Sequence, residues 1–200
     1  MKQYALGNIM YAGDYDAFCP IADGNVYFYG VRSGSHGSFK YNLIAGGFLH
    51  EYVGNTALIC PVWKIHVDTD LTEASGTGGV GYNRLVFSST IDDEDTSISN
   101  GKTAPEMISR PAEIVMFGDA AMGTTPTATA NLVPKGLGMQ DKYGTTHFRH
   151  NDLANIAWAD GHVSSVRYRG GNDSAKTGYF DDTWKYFDRF YSEDDAEGNP

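Results

Sequence analysis

Apolar residues at the start of the chain are spaced as in an amphipathic helix. Within residues 2–16 they recur every three or four positions and form one stripe, namely Ala5, Ile9 and Ala12 flanked by Leu6 and Met10. Gly7 and Gly13 each weaken a helix by about 1 kcal/mol relative to alanine. We therefore expect a helix that ends near Gly13 and depends on tertiary contacts.

The pattern after residue 20 predicts short elements joined by long connections. Runs of β-branched and aromatic residues predict four strands, at 25–31, 62–67, 84–91 and 113–118. Apolar spacing of three and four residues predicts a second helix over 41–54, with Asn42 as its N-cap. Stretches rich in glycine or polar residues predict loops at 71–83, 92–103 and 123–138.

Two strand-like runs in the last third of the chain flank the dipeptide Asp160-Gly161. This dipeptide suits a two-residue type I′ turn, because both central positions of that turn require positive φ. With such a turn, Trp158 pairs opposite Val163 and lies on the same face as Ile156. We predict an antiparallel hairpin with these three apolar side chains facing the core.

The chain is long and apolar enough for one domain with a core. It has 200 residues, of which 41% are hydrophobic, and its 24 glycines and 13 tyrosines favour turns and short strands over a helical bundle. We expect a single α+β domain over 1–200, with the N-terminal helix packed on an antiparallel β-sheet and long irregular loops. The hairpin, over 155–168, is expected at the centre of that sheet.

The formal net charge of −10 argues against two classes of partner. It repels phosphate backbones and anionic lipid surfaces, and no cluster of Lys or Arg offsets it locally. We therefore expect no nucleic-acid partner. In addition, no stretch of the sequence reaches the roughly 20 apolar residues of a membrane span.

Candidate chemistry is concentrated in the histidines around the hairpin. His147, His150, Asp160 and His162 fall within sixteen residues, enough donors for a metal-dependent enzyme or a cation-binding module. The two earlier histidines alternate poorly on a strand, and turn geometry explains Asp160, so a structural role is favoured. The sequence also contains no GxSxG elbow, HExxH helix or P-loop. We expect no catalytic residues and no enzyme activity.

Two binding interpretations and one cysteine pairing stay open. The carboxylates of 92–103 invite a calcium site, but they lack the ligand register of an EF-hand, and a solvated loop is favoured. The 13 Tyr and 3 Trp would suit a carbohydrate-binding surface module if several were exposed together. Cys19 and Cys60 each precede a proline, outside any zinc or CxxC spacing, and both a disulfide and two free thiols fit.

The region 145–168 carries a resemblance to a known family. His150 is followed by nine residues, NDLANIAWA, and then by Asp160-Gly161. The flanks agree with the family's usual wording at Arg149, Ala154-Asn155 and Ala159 to Val163. The region resembles the prepilin-type processing-associated H-X9-DG proteins. Further similar pieces occur in the family's order at 2–20, 58–61, 81–83 and 110–119, so the resemblance touches most of the chain.

This resemblance implies a pilin-like fold in which 1–16 is the remainder of a longer N-terminal helix. Family members begin with a basic leader, a prepilin-peptidase site and an apolar anchor helix of about 20 residues, so we expect a truncated ectodomain. The implied role is that of a non-enzymatic structural or assembly subunit, a pseudopilin-like protein of a type II secretion or type IV pilus-like system. His150, Asp160 and Gly161 are then a family motif with structural roles.

The same resemblance implies where the protein works and what it contacts. Its full-length parent is expected to be extracytoplasmic, in the periplasm or at the cell surface, and anchored in the inner membrane. Other pilin or pseudopilin subunits are the expected partners, through the missing N-terminal helix. Contact with the membrane is expected only through that helix.

Overall fold

The computed structural model describes residues 1–23, 25–33, 40–42, 46–54, 79–87, 102–123, 129–134, 144–172 and 174–180, together with residues 60, 62, 126, 186 and 187. The strand predicted at 62–67 lies outside these residues except for its first position. The acidic stretch 92–103 lies outside them except for its last two positions, so the calcium interpretation falls on residues that are not described.

The N-terminal helix α1 (Lys2–Tyr15) is present and ends at Asp16, whose φ of 55° is left-handed. Its buried face differs in part from the predicted stripe. Ala5 and Ala12 are buried, but Leu6 and Met10 are 44% and 57% exposed. The helix is rotated relative to the prediction because the ring of Tyr4 packs edge-on against the rings of Phe28 and Phe117 and because Asn8 is buried. Where the structure describes helices, none has the length and apolar content needed to cross a membrane.

Four short strands after α1 form an antiparallel meander, in the order β1 (Ala22–Asp23), β2 (Val26–Tyr27), β3 (Gly30–Ser33) and β4 (Lys40–Asn42). The single strand predicted over 25–31 is therefore wrong. A turn at Phe28 and Tyr29 divides it into β2 and β3, and the ring of Phe28 is fully buried.

The second helix is much shorter than predicted. Only α2 (His50–Val53) is helical among the described residues of 41–54, and Asn42 lies in β4 and is not an N-cap. Two glycines account for this difference. Gly46 has a φ of 84°, and a Cβ on Gly47 would lie 2.3 Å from the backbone nitrogen of Gly30. Helical backbone does not provide this left-handed turn and close approach.

Among the residues described above, the larger sheet contains eight strands. They are β5 (Val80–Asn83), β6 (Val115–Ala121), β7 (Asn131–Leu132), β8 (Thr145–His147), β9 (Leu153–Trp158), β10 (Val163–Arg167), β11 (Gly170–Asn172) and β12 (Thr177–Tyr179). The main order is β10-β9-β6-β8-β12-β11, and β5 pairs with β6 and with β7. All the pairs are antiparallel except β5 with β7, so the sheet is mixed.

Two predictions around this sheet need correction. The end of the loop predicted at 71–83 is the buried strand β5, and the start of the strand predicted at 84–91 is helix α3 (Arg84–Phe87). The Asn83 side chain helps to end β5, because its Oδ1 accepts the N–H of Leu85 at 3.1 Å. Two 3₁₀ helices, Pro105–Met107 and Pro111–Glu113, then lead into β6. The strand predicted at 113–118 is confirmed as β6, which begins two residues later, at Val115, and extends to Ala121.

The predicted hairpin is present as β9 and β10, but its turn is longer by one residue. Ala157 pairs opposite Val163, and the Gly161 N–H donates to the Trp158 carbonyl at 2.9 Å. Gly161 has a φ of 88°, whereas Asp160 does not have a positive φ. The type I′ assignment is therefore wrong, and a three-residue loop fits. The shift in register leaves Val163 38% exposed, not facing the core.

Strand β9 contributes to two apolar clusters. Ala157, together with Ala159 just after the strand, belongs to the cluster that includes Tyr4 and much of α1. Ile156 and Trp158 are buried, as predicted, and belong to a second cluster with the aromatic residues that follow β12. This alternation fits a strand with packing on both faces. The hairpin is not central, because β10 ends the strand order and β6 occupies the middle.

Candidate functional site

Strand β6 has one edge that two other strands share. It pairs with β5 along one side. Along the other side, β9 pairs as far as Gly118, and β8 pairs from Ala120 onward. Asp119 lies between these two positions, where β9 and β8 separate. Its side chain is 3% exposed, so a carboxylate is buried in an otherwise apolar strand.

The Asp119 carboxylate contacts three groups from the segment after β8. One oxygen accepts a hydrogen bond from the Arg149 guanidinium. The other accepts the backbone N–H of Asn155 at 2.7 Å and lies 3.3 Å from His150 Nε2. We call Asp119, Arg149, His150 and Asn155 the Asp119 cluster. The cluster holds together the point where the two strands diverge from β6.

A tight turn between β8 and β9 brings Arg149 and His150 to this carboxylate. The His150 N–H donates to the Leu153 carbonyl at 3.0 Å, and the Leu153 N–H donates back at 3.1 Å. Within the turn, Asn151 and Asp152 have φ of 55° and 59°. Asn and Asp tolerate this left-handed backbone better than most residues. The sequence Asn-Asp directly after His150 therefore shapes the turn.

Arg149 also joins the cluster to two further backbone segments. Its guanidinium donates to the Gly79 carbonyl at 2.7 Å and to the Ala120 carbonyl at 3.4 Å, and it lies 3.2 Å from His147 Nδ1. Burying two charges costs several kcal/mol per ion. A close ion pair can offset a cost of this order when further hydrogen bonds bind the remaining polar atoms. These additional contacts engage both terminal nitrogens, Nη1 and Nη2, of a guanidinium that is only 2% exposed.

Cys60 approaches the cluster from its exposed side. Its Sγ lies 3.7 Å from His150 Nε2, and the side chain is partly exposed. Cys19 is fully buried elsewhere, 4.0 Å from the Tyr82 hydroxyl, and burial raises the pKa of its thiol. Both cysteines are free thiols, which resolves the question that the sequence left open in favour of no disulfide.

The other half of the sequence motif lies at the far end of β9. The Asp160 carboxylate accepts the backbone N–H of His162 at 3.0 Å and lies 2.6 Å from its Nδ1. The His162 ring stacks on Trp158, with centroids 5.5 Å apart and planes at 11°. Asp160 therefore fixes the exit of the turn and the position of the histidine that follows. These contacts give Asp160, Gly161 and His162 a local structural role.

The structure does not bring the four proposed metal donors together. His147 contacts Arg149, His150 contacts Asp119, and His162 contacts Asp160. A guanidinium beside a histidine nitrogen repels a metal cation. Within the described ranges, no group of three His, Cys, Asp or Glu side chains is arranged to hold a metal ion.

The geometry of His150 also differs from that of a nucleophilic triad. In such a triad the nucleophile and the acid contact opposite nitrogens of the histidine, so that one nitrogen accepts a proton while the other is held. Here Asp119 and Cys60 both approach Nε2. The arrangement is suited to holding the ring and to placing it beside a thiol.

The aromatic residues include one exposed stacked pair. Tyr11 and Tyr15 stack on the surface of α1, with centroids 4.4 Å apart, and Tyr15 is 56% exposed. Tyr11 also packs edge-on against Phe48 and Tyr52, so the pair forms part of the packing between α1 and α2. This pair is small for a carbohydrate-stacking surface.

Three members of the cluster were not predicted as site residues. Asp119 stood out only as the residue after the apolar run 113–118, and Arg149 and Asn155 only as matching residues beside the motif positions. The sequence offered one signal for Asp119, namely that this carboxylate directly follows an apolar run with no turn residue between them. The partners of the Asp119 carboxylate, Arg149, His150 and Asn155, lie 30, 31 and 36 residues later in the chain, and no local pattern indicates them.

Comparisons with known proteins identify no relative. No family model matches the chain, and searches of curated proteins and of solved structures find no match.

Proposed function

We propose that this chain is the head domain of a pseudopilin-like protein, a non-enzymatic subunit of a type II secretion or type IV pilus-like assembly. The observation that carries the proposal is the contact between the motif turn and the N-terminal helix. A Cβ on Gly161 would lie 3.0 Å from Ile9 Cδ1 and 3.0 Å from Leu6 Cδ2. The H-X9-DG segment thus serves to seat α1 on the sheet.

The two ends of the motif support a structural role. His150 is held by the buried Asp119 at one end of β9, and Asp160-Gly161 forms the turn against α1 at the other. The nine intervening residues are mainly β9, which sets the distance between these two contacts. Strand β9 therefore fixes the distance between the His150 contact and the turn that touches α1. Such a fixed spacing fits a structural role.

The exposed surface of α1 has apolar side chains that neighbouring subunits could cover in an assembly. Leu6 and Met10 are one helical turn apart and together form an apolar strip, although the opposite face of the helix is packed on the sheet. We propose that α1 continues an N-terminal anchor helix and that neighbouring subunits cover this strip. The full-length parent is then extracytoplasmic and anchored in the inner membrane. The acidic charge fits the proposed absence of nucleic-acid partners.

The decisive experiment is to determine the N-terminus of the native mature protein by mass spectrometry. The proposal expects a mature N-terminus that begins an apolar helix of about 20 residues, and expects this helix to continue into α1. A mature protein cleaved by signal peptidase, or lipidated at a cysteine, contradicts it.

Photo-crosslinking in the native host tests the partner separately. A photoreactive amino acid at Met10 should give crosslinks to pilin-like subunits, and the same group at the exposed Ser165 of β10 serves as the matched control. Equal crosslinking from both positions would argue against assembly through α1.

A further inference from the structure

We propose that Cys60 is a site of thiol–disulfide exchange with small disulfides, and that His150 of the Asp119 cluster accepts its thiol proton. The thiol sulfur lies 3.7 Å from His150 Nε2. The Cys60 side chain is partly exposed, and that of His150 is 28% exposed, so a small molecule can reach both groups. Nothing in this inference depends on the proposed assembly role.

Cys60 stands at the end of a series of charged and polar groups that contact one another. Arg149, Asp119, His150 and Cys60 follow one another in contact. Once the thiol proton has passed to the imidazole, the signs of the charges along this series alternate from plus to minus. Cysteine reactivity depends on the thiolate, and a neighbouring imidazolium is a common means of stabilising it.

The other charged groups near this series are consistent with that arrangement. His147 contacts Arg149 from β8, and the Met1 amino group at the start of α1 lies near enough to Asp119 to be affected by its charge. Burial lowers the pKa of this amino group, and Asp119 opposes that effect. Asp119 is thus in direct contact with the cationic guanidinium of Arg149, and this contact fixes the position of the carboxylate. His150 therefore lies beside a carboxylate that is held in place.

The proposed reaction is balanced without an additional oxidant. The Cys60 thiol proton passes to His150, and the thiolate attacks one sulfur of a disulfide such as glutathione disulfide. A new sulfur–sulfur bond forms as the old one breaks. The leaving thiolate takes the proton from His150, so the products are the mixed disulfide at Cys60 and one free thiol.

Cys19 provides a control within the same molecule. It is completely buried, it lies near the Tyr82 hydroxyl, and burial raises the pKa of its thiol. Both its inaccessibility and its environment predict slow reaction in the folded chain. Only Cys60 should therefore be modified while the protein is folded.

The experiment measures alkylation by iodoacetamide and adduct formation with glutathione disulfide, with peptide mapping by mass spectrometry. The wild-type chain is compared folded and unfolded in urea at about pH 6.5, where an ordinary thiol is almost entirely protonated. Variants C60S, C19A and H150Q are tested alongside, and thermal melts establish which of them are folded.

The proposal expects Cys60 to react several-fold faster in the folded chain than in the unfolded chain. C19A should keep this rate, C60S should lose the adduct, and folded H150Q should react no faster than unfolded chain. Slower reaction of Cys60 in the folded wild type overturns the proposal, and so does a folded H150Q variant that retains the fast rate. If H150Q does not fold, the comparison within the wild type decides alone.

Discussion

The Asp119 carboxylate accepts the backbone N–H of Asn155 at 2.7 Å, next to the place where β9 stops pairing with β6. A side-chain oxygen of Asp119 thus accepts a backbone N–H of β9 beside the last residue pair between β9 and β6. The same carboxylate binds Arg149, so one buried group serves both the sheet and the turn that leads into β9. The first prediction follows from this double role.

Replacing Asp119 with alanine should lower the free energy of unfolding by about 3–5 kcal/mol, because the Arg149 charge is left buried and uncompensated. Urea unfolding followed by circular dichroism measures the change. Glu113→Ala, in the exposed pair with Arg110, is the control and should change stability by no more than about 1 kcal/mol. If both variants lose the same small amount, the buried pair does not stabilise the sheet.

Gly161→Val should lower stability by roughly 1–3 kcal/mol, because a β-branched residue is strained at positive φ and its Cβ would press on Leu6 and Ile9. Gly13→Ala is the matched control. A Cβ at Gly13 has nothing within 4 Å, so this change should stabilise α1 by about 0.5–1 kcal/mol. Thermal melts that move in the same direction for both variants would contradict the turn geometry.

The buried Asn8 should contribute strongly to the docking of α1. Its amide donates to the Tyr82 hydroxyl at 2.7 Å, and its Oδ1 accepts the Cys19 N–H at 2.9 Å. Asn8→Leu leaves two buried groups without these partners and should cost about 1–3 kcal/mol for each. Gln3→Leu, at an exposed position of the same helix, should stay within about 0.5 kcal/mol.

A double-mutant cycle between Asn8→Leu and Tyr82→Phe tests whether the two side chains act together. The structure predicts a coupling energy of about 0.5–3 kcal/mol, because the residues share a hydrogen bond. Strictly additive losses would mean that the contact contributes little to the stability of the folded chain.

Stability should fall at alkaline pH. Burial raises the pKa of Tyr4 from 10.0 to about 12 and also raises the pKa of Tyr82. The unfolded chain therefore loses these protons first as pH rises, and the stabilisation present below about pH 10 is lost as pH approaches about 12. Tyr4→Phe should reduce this loss in urea unfolding between these pH values. Tyr15→Phe, at an exposed ring, should leave the loss unchanged.

The sequence was a good guide where local pattern and burial agree. The period of α1, the apolar run that becomes β6, and the two runs around Asp160-Gly161 each predicted the correct type of element. Helix and strand periodicities depend on which side chains are buried. They predicted these elements better than their buried faces, since Leu6 and Met10 of α1 are exposed.

The failures have tertiary causes. The helix predicted over 41–54 is replaced in part by β4 and by a close approach of Gly47 to Gly30, a contact that no local pattern indicates. The turn at Asp160 has one extra residue, which exposes Val163. The partner of His150 is Asp119, 31 positions earlier in the numbering, so the site became visible only with the sheet assembled.

The shared edge of β6 has a consequence for how quickly the protein folds. The strands that pair with β6 come from before it, at 80–83, and from after it, at 145–147 and 153–158. The chain must close loops on both sides of β6 before its ladders are complete, and long loops make such pairing slow. We therefore expect α1 to form rapidly and the β6 ladders to form in the rate-limiting step.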